Sequence, residues 1–121
     1  MKTLTSIGLL FAFISSCYYD KEENLYFASQ FDCDTANVRY SVQVSTIISQ
    51  NCLPCHNAAT ASGGISLETY DQLKTMVLNG RVGAAMRHDM GVSPMPKLAP
   101  KLSECKIKTL AIWEKAGCPN N

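Results

Sequence analysis

Regular apolar patterns occupy four stretches of the chain. The first, Leu4 to Ile14, is a largely apolar run. It is too short to cross a bilayer as a helix and has the length of a signal-peptide core. The second places Tyr40, Val44, Ile47 and Ile48 at spacings of four and three, which predicts a helix over Arg39–Ser49 running directly into Cys52. The third is the stripe Leu67, Tyr70, Leu73, Met76 and Val77, with Ser66 as its expected cap, Thr69 three positions on, and Gly80 as its end. The fourth begins at Ser103, a good N-cap followed by Glu104. It turns Ile107, Leu110, Ala111 and Trp113 inward and stops after Ala116 at Gly117 and Pro119.

The intervening segments read as loops. Asn57 to Gly64 is small and polar. Arg81 to His88 has room for one short helical turn. Gly91, Pro94, Pro96 and Pro100 make Asp89–Pro100 an extended loop. The layout is therefore all-α, without internal repeat: helix, loop, helix, proline-bearing loop, terminal helix.

Composition changes this picture at the N-terminal end. Residues 1–16 read as a signal peptide, with Lys2 as a minimal positive region before the apolar run. It ends at Ile14-Ser15-Ser16-Cys17, which resembles a lipoprotein signal whose Cys becomes the lipidated first residue. Residues 17–32 then form an acidic tether and residues 33–121 one small domain. From Tyr18 to Asp34 five carboxylates face one lysine, a net of −4, whereas Thr35 to Asn121 carries nine Lys/Arg against five Asp/Glu, a net of +4. Neither value points to nucleic-acid binding. Export places the chain where disulfides are permitted.

The candidate chemistry centres on Cys52-Leu53-Pro54-Cys55-His56, the C-x-x-C-H attachment pattern of a c-type haem. Two thiols with two residues between them reach the two vinyl groups of one porphyrin, and the adjacent imidazole ligates the iron. The same spacing also serves thiol–disulfide pairs and half-zinc sites. A haem so held needs a second axial ligand or keeps an open site. A thioether ligand raises the potential and suits electron transfer. Met95, in Ser93-Pro94-Met95-Pro96, stands out because prolines on both sides stiffen its backbone. Met90 and His88 are alternatives; Met76 and Met86 read as core.

With haem motif, Met95-Pro96 and a final helix bearing Trp113, the chain resembles a class I c-type cytochrome. More narrowly it resembles the small monohaem cytochromes carried on bacterial lipoproteins, from Cys33 to the end. The resemblance implies a cytochrome c-like fold, three main helices and loops around one covalently bound haem c. It implies Cys52 and Cys55 as thioether residues, His56 as proximal ligand and Met95 as distal ligand. In that family a carbonyl of a proline-containing loop orients the histidine. No proline follows His56 before Pro94, so this acceptor is unassigned.

Cys33, Cys105 and Cys118 remain. Cys105 and Cys118 lie thirteen residues apart on one helix, roughly 20 Å, and cannot pair while it is intact. Cys33 then pairs with one of them, or no disulfide forms. The resemblance implies Cys33–Cys105.

The expected function is one-electron transfer by a single haem, with unknown redox partner proteins, in an exported bacterial lipoprotein anchored to the membrane through Cys17. Lys21-Glu22-Glu23 resembles the acidic signal that sends some bacterial lipoproteins to the cell surface; the other location is the periplasmic face. Lys97, Lys101, Lys106 and Lys108 form either a docking patch for an acidic partner or a solvated face. The alternatives are a haem enzyme or a gas or peroxide sensor with an open sixth site, and a thiol or zinc protein built on Cys52, Cys55 and His56.

Overall fold

A computed structural model describes residues 33–121; the expected signal segment, the acidic tether and Cys17 lie outside the described residues. The described residues fold into helices and loops, with no strand among them. A π-helical turn, Tyr40–Val44, continues without a break into α1, Ser45–Asn51. A short 3-10 turn at Ser62–Gly64 precedes α2, Tyr70–Leu78. A short connection, 79–80, leads to α3, Arg81–Arg87, and the long proline-bearing loop, 88–103, leads to α4, Glu104–Lys115. No helix among the described residues is long and apolar enough to cross a membrane.

The first predicted helix is present and uses the predicted face. Val44, Ile47 and Ile48 are buried and Tyr40 packs against the core. Its first N–H groups, which have no partner within a helix, are satisfied from the far end of the chain. Tyr40 donates to Asn121 Oδ1 at 2.8 Å and Ser41 to Asn121 O at 2.9 Å.

The second helix starts later than expected. Thr69, not Ser66, is its cap. Gln72 N–H donates to Thr69 Oγ1 at 3.3 Å, and Gln72 Oε1 accepts the Thr69 N–H at 3.1 Å, a complete capping box. Ser66 Oγ donates to the same Gln72 oxygen and so supports the cap from outside. Leu67 lies before the helix and is still buried. Gly80, at φ +78, turns the chain out of α2 and into α3.

In α4, Ile107, Leu110 and Trp113 are buried as expected, but Ala111 is exposed and Thr109 is buried instead, 4% exposed. At about 100° per residue, Ile107, Leu110, Trp113 and Thr109 make one continuous arc, and Ala111 falls outside its edge.

Trp113 is the centre of the core, fully buried, with the Tyr40 ring stacked at 5.7 Å. Tyr70 meets Tyr40 edge-on at 5.0 Å. Such pairs contribute about 0.5–1.5 kcal/mol beyond area burial. The polar tips of both Trp113 and Tyr70 are used. Trp113 Nε1 donates to Pro119 O at 2.9 Å and the Tyr70 hydroxyl to Cys118 O at 2.6 Å. First helix, last helix and C-terminal tail are thus locked together, leaving α2, α3 and the loops to build the other side. Cys33 is disulfide-bonded to Cys105 with Cα atoms 5.5 Å apart, which ties the start of the domain to the first turn of α4.

Candidate functional site

The end of α1 delivers the cysteine motif. Cys52 N–H and Leu53 N–H both donate to Ile48 O, at 2.9 and 3.0 Å. The chain then coils back, with Cys55 and His56 N–H donating to Cys52 O at 3.1 and 2.9 Å. This compact turn puts Cys52, Cys55 and His56 on the wall of one cleft. Asn57 closes the turn. Its Nδ2 donates to Leu53 O at 2.9 Å while its Oδ1 accepts from Ala59 and Thr60 N–H.

The His56 ring is held by Nδ1, 3.2 Å from Ile65 O. A carbonyl only accepts, so Nδ1 carries the proton and Nε2 keeps its lone pair. That is the tautomer a metal ligand needs, fixed by a backbone partner. The acceptor comes from Gly63-Gly64-Ile65 and needs no proline. A second bond, Leu67 N–H to His56 O at 2.8 Å, keeps this segment alongside the motif.

The cleft has a volume of about 660 Å³, within the range of sites for cofactor-sized molecules. Its wall is largely apolar: Ile65 and Leu67 from the segment before α2, Met76 from α2, and Val82, Ala85 and Met86 from α3. The proline-bearing loop closes it with Val92, Met95 and Pro96. Arg81 and Lys97 add positive charge.

Met95 lines this cleft together with His56. Its backbone is bonded on both sides: N–H to Ala85 O at 3.0 Å, and carbonyl to His88 Nε2 at 3.1 Å. The alternatives fall elsewhere. Met90 is fully exposed and His88 spends its ring on the Met95 carbonyl; neither lines the cleft. Met86 is buried, as expected of a core residue, but also forms cleft wall. Met76 packs against the core, as expected, but only in part. It is half-buried on the cleft wall, and Asn79 Nδ2 donates to its sulfur at 3.6 Å.

Burial pushes the Cys52 thiol up to about 11, whereas Cys55 is exposed. Reactive thiols of redox pairs are shifted the other way. Cys33 and Cys105 are committed to each other, so neither can complete a zinc site with the motif. Among the described residues no three His, Cys, Asp or Glu side chains gather as a metal-binding group.

Sequence reasoning did not find Ile65 or Arg81, and it named His88 as an alternative iron ligand, not as the partner of the Met95 carbonyl. A backbone acceptor leaves no mark in residue identity, and a lone His or Arg resembles any surface residue. Comparison with protein-family models, with curated proteins and with solved structures finds no match to this chain.

Proposed function

We propose that this chain is a single-haem electron-transfer protein of the cytochrome c kind. The observation that carries the reading is that Cys52, Cys55, His56 and Met95 line one largely apolar cleft of cofactor size. The donor set fits the group: two thiols for the vinyl carbons, an imidazole held with Nε2 unprotonated, and a thioether on a doubly tethered backbone. The bound haem supplies a one-electron Fe(III)/Fe(II) couple.

The chain's own residues do the rest. Cys52 and Cys55 would hold the ring through their thiols, while His56 and Met95 would supply the nitrogen and sulfur ligands to its iron. Ile65 O makes the imidazole more basic. The apolar wall excludes water and lowers the local dielectric, so the Met/His ligand pair and the burial together set the potential. Arg81, on the lining of the cleft, would provide counter-charge for a propionate. The sequence supports carriage outside the cytoplasm on a lipid at Cys17, with redox proteins as partners.

The test is the purified protein made alongside haem-attachment machinery. Pyridine haemochrome assay is expected to give one covalent haem per chain, and the ferric spectrum a low-spin haem with a methionine–iron charge-transfer band. Absence of covalent haem would sink the proposal. A high-spin spectrum that shifts with cyanide would instead identify an open-site enzyme or sensor.

A further inference from the structure

His88 ends α3 in the left-handed region, at φ 61 and ψ 42. That position usually belongs to glycine or asparagine, because a Cβ there costs about 1 kcal/mol or more. A glycine would have ended the helix without strain. The side chain present instead is half-buried, and its Nε2 reaches the Met95 carbonyl at 3.1 Å. The carbonyl can only accept, so Nε2 carries the proton and donates.

The second tether of Met95 comes from the same helix end, where Ala85 O accepts its N–H at 3.0 Å. One turn of α3 therefore holds both peptide groups that flank the Met95 side chain. The same helix supplies Val82, Ala85 and Met86 to the cleft wall. Rotation of the Met95 backbone, which would swing its sulfur away from the cleft, has to break one of these two bonds. Only the His88 bond depends on a side chain. We infer that His88 is the positioning residue for the distal ligand: its Nε2–H fixes the Met95 carbonyl and thereby keeps the thioether aimed at the haem site.

This inference rests on the haem reading above, so the experiment separates the two. It uses the full holoprotein and compares wild type with His88→Gly, His88→Asn and His88→Gln. Glycine and asparagine suit the left-handed backbone, but the first has no donor and the second is one bond too short. Glutamine places its amide nitrogen as many bonds from Cα as His88 Nε2 and restores a donor. The readouts are the methionine–iron charge-transfer band, thermal stability, and the affinity of the ferric protein for imidazole, which competes with Met95.

The glycine variant is expected to melt at or above the wild-type temperature. It is also expected to bind imidazole about 3- to 10-fold more tightly and to show a weakened band, the range set by one lost hydrogen bond. Asparagine should behave likewise, and glutamine should return both signals toward wild type. A merely structural role would move stability without splitting glutamine from asparagine in the ligand readouts. Wild-type imidazole affinity and band intensity in the glycine variant would overturn the role of His88 alone. A wild type with covalent haem but no band would overturn Met95 ligation, and this role with it.

Discussion

His56 Nδ1 donates to Ile65 O across 3.2 Å, and the turn that carries this carbonyl is built on Gly63 and Gly64, both at positive φ. The imidazole is therefore oriented by a glycine turn. A Cβ at Gly64, φ +73, would meet nothing within 4 Å, so a substitution there acts through the backbone alone. Gly64→Ala is expected to cost about 1 kcal/mol in urea denaturation. The turn relaxes and weakens the bond to Nδ1. A less basic ligand stabilises Fe(III) less, so the reduction potential of the holoprotein is expected to rise. Potentiometric titration checks the sign; a lower potential would refute the orienting role.

The Cys33–Cys105 disulfide closes a loop with a sequence separation of 72. On the chain-entropy model this contributes at most about 4 kcal/mol. Cys105→Ser is expected to lose a large part of that in denaturation with the haem retained. Cys118 cannot take over. It is fully buried beyond the far end of α4, with its carbonyl bonded to Tyr70. Mass spectrometry of the variant should find Cys33 unpaired with Cys118.

Asn121 covers two backbone donors at the start of the first helical turn, Tyr40 N–H through its side chain and Ser41 N–H through its carbonyl. Asn121→Ala removes only the first and is expected to cost about 1 kcal/mol. Asn121→Asp keeps an acceptor and adds negative charge at a helix N-terminus, so it should match or exceed wild type at neutral pH and low salt. Thermal melts of the three proteins decide this.

The helices were legible wherever side-chain spacing decides them. Val44, Ile47 and Ile48 are the buried face of the first helix, and Leu73 and Val77 of α2. The Ser66 expectation failed because the capping box is set by a reciprocal pair, Thr69 with Gln72, that an equally plausible hydroxyl three residues earlier obscures. Ala111 failed because the stripe was extended past Ile107 on the wrong side. The cysteine motif and Met95 stood out as candidates because their residue types suit the proposed chemistry, and the fold brings them to one cleft. The groups that hold them are a backbone carbonyl at Ile65 and a loop-spanning bond from His88, and neither leaves a local pattern.

Leu98 stands fully exposed at φ 57, a conformation that disfavours a branched side chain and gains nothing from burial. Leu98→Asn is expected to stabilise the fold by up to about 1 kcal/mol, since asparagine adopts this backbone more readily. Equal or lower stability by urea denaturation would mean that the leucine makes an apolar contact the isolated domain does not show.

The lysines that the sequence groups together have different surroundings. Lys101 pairs with Glu104 at 2.9 Å, and Lys106 reaches Asn51 Oδ1 at 3.4 Å. Lys97 donates to the neutral Ser93 hydroxyl at 2.6 Å and lines the cleft. Among the described residues no carboxylate pairs with it, and it sits beside the proposed haem. Lys108 is exposed on α4 and does not line the cleft. For an acidic redox partner, charge beside the electron's exit steers productive encounter, whereas remote charge changes mainly the overall field. Lys97→Glu is therefore expected to slow bimolecular electron transfer several-fold more than Lys108→Glu at low salt, and to flatten its dependence on ionic strength. Stopped-flow rates across a salt series measure both slopes. Equal effects of the two reversals would show that docking does not use the cleft mouth.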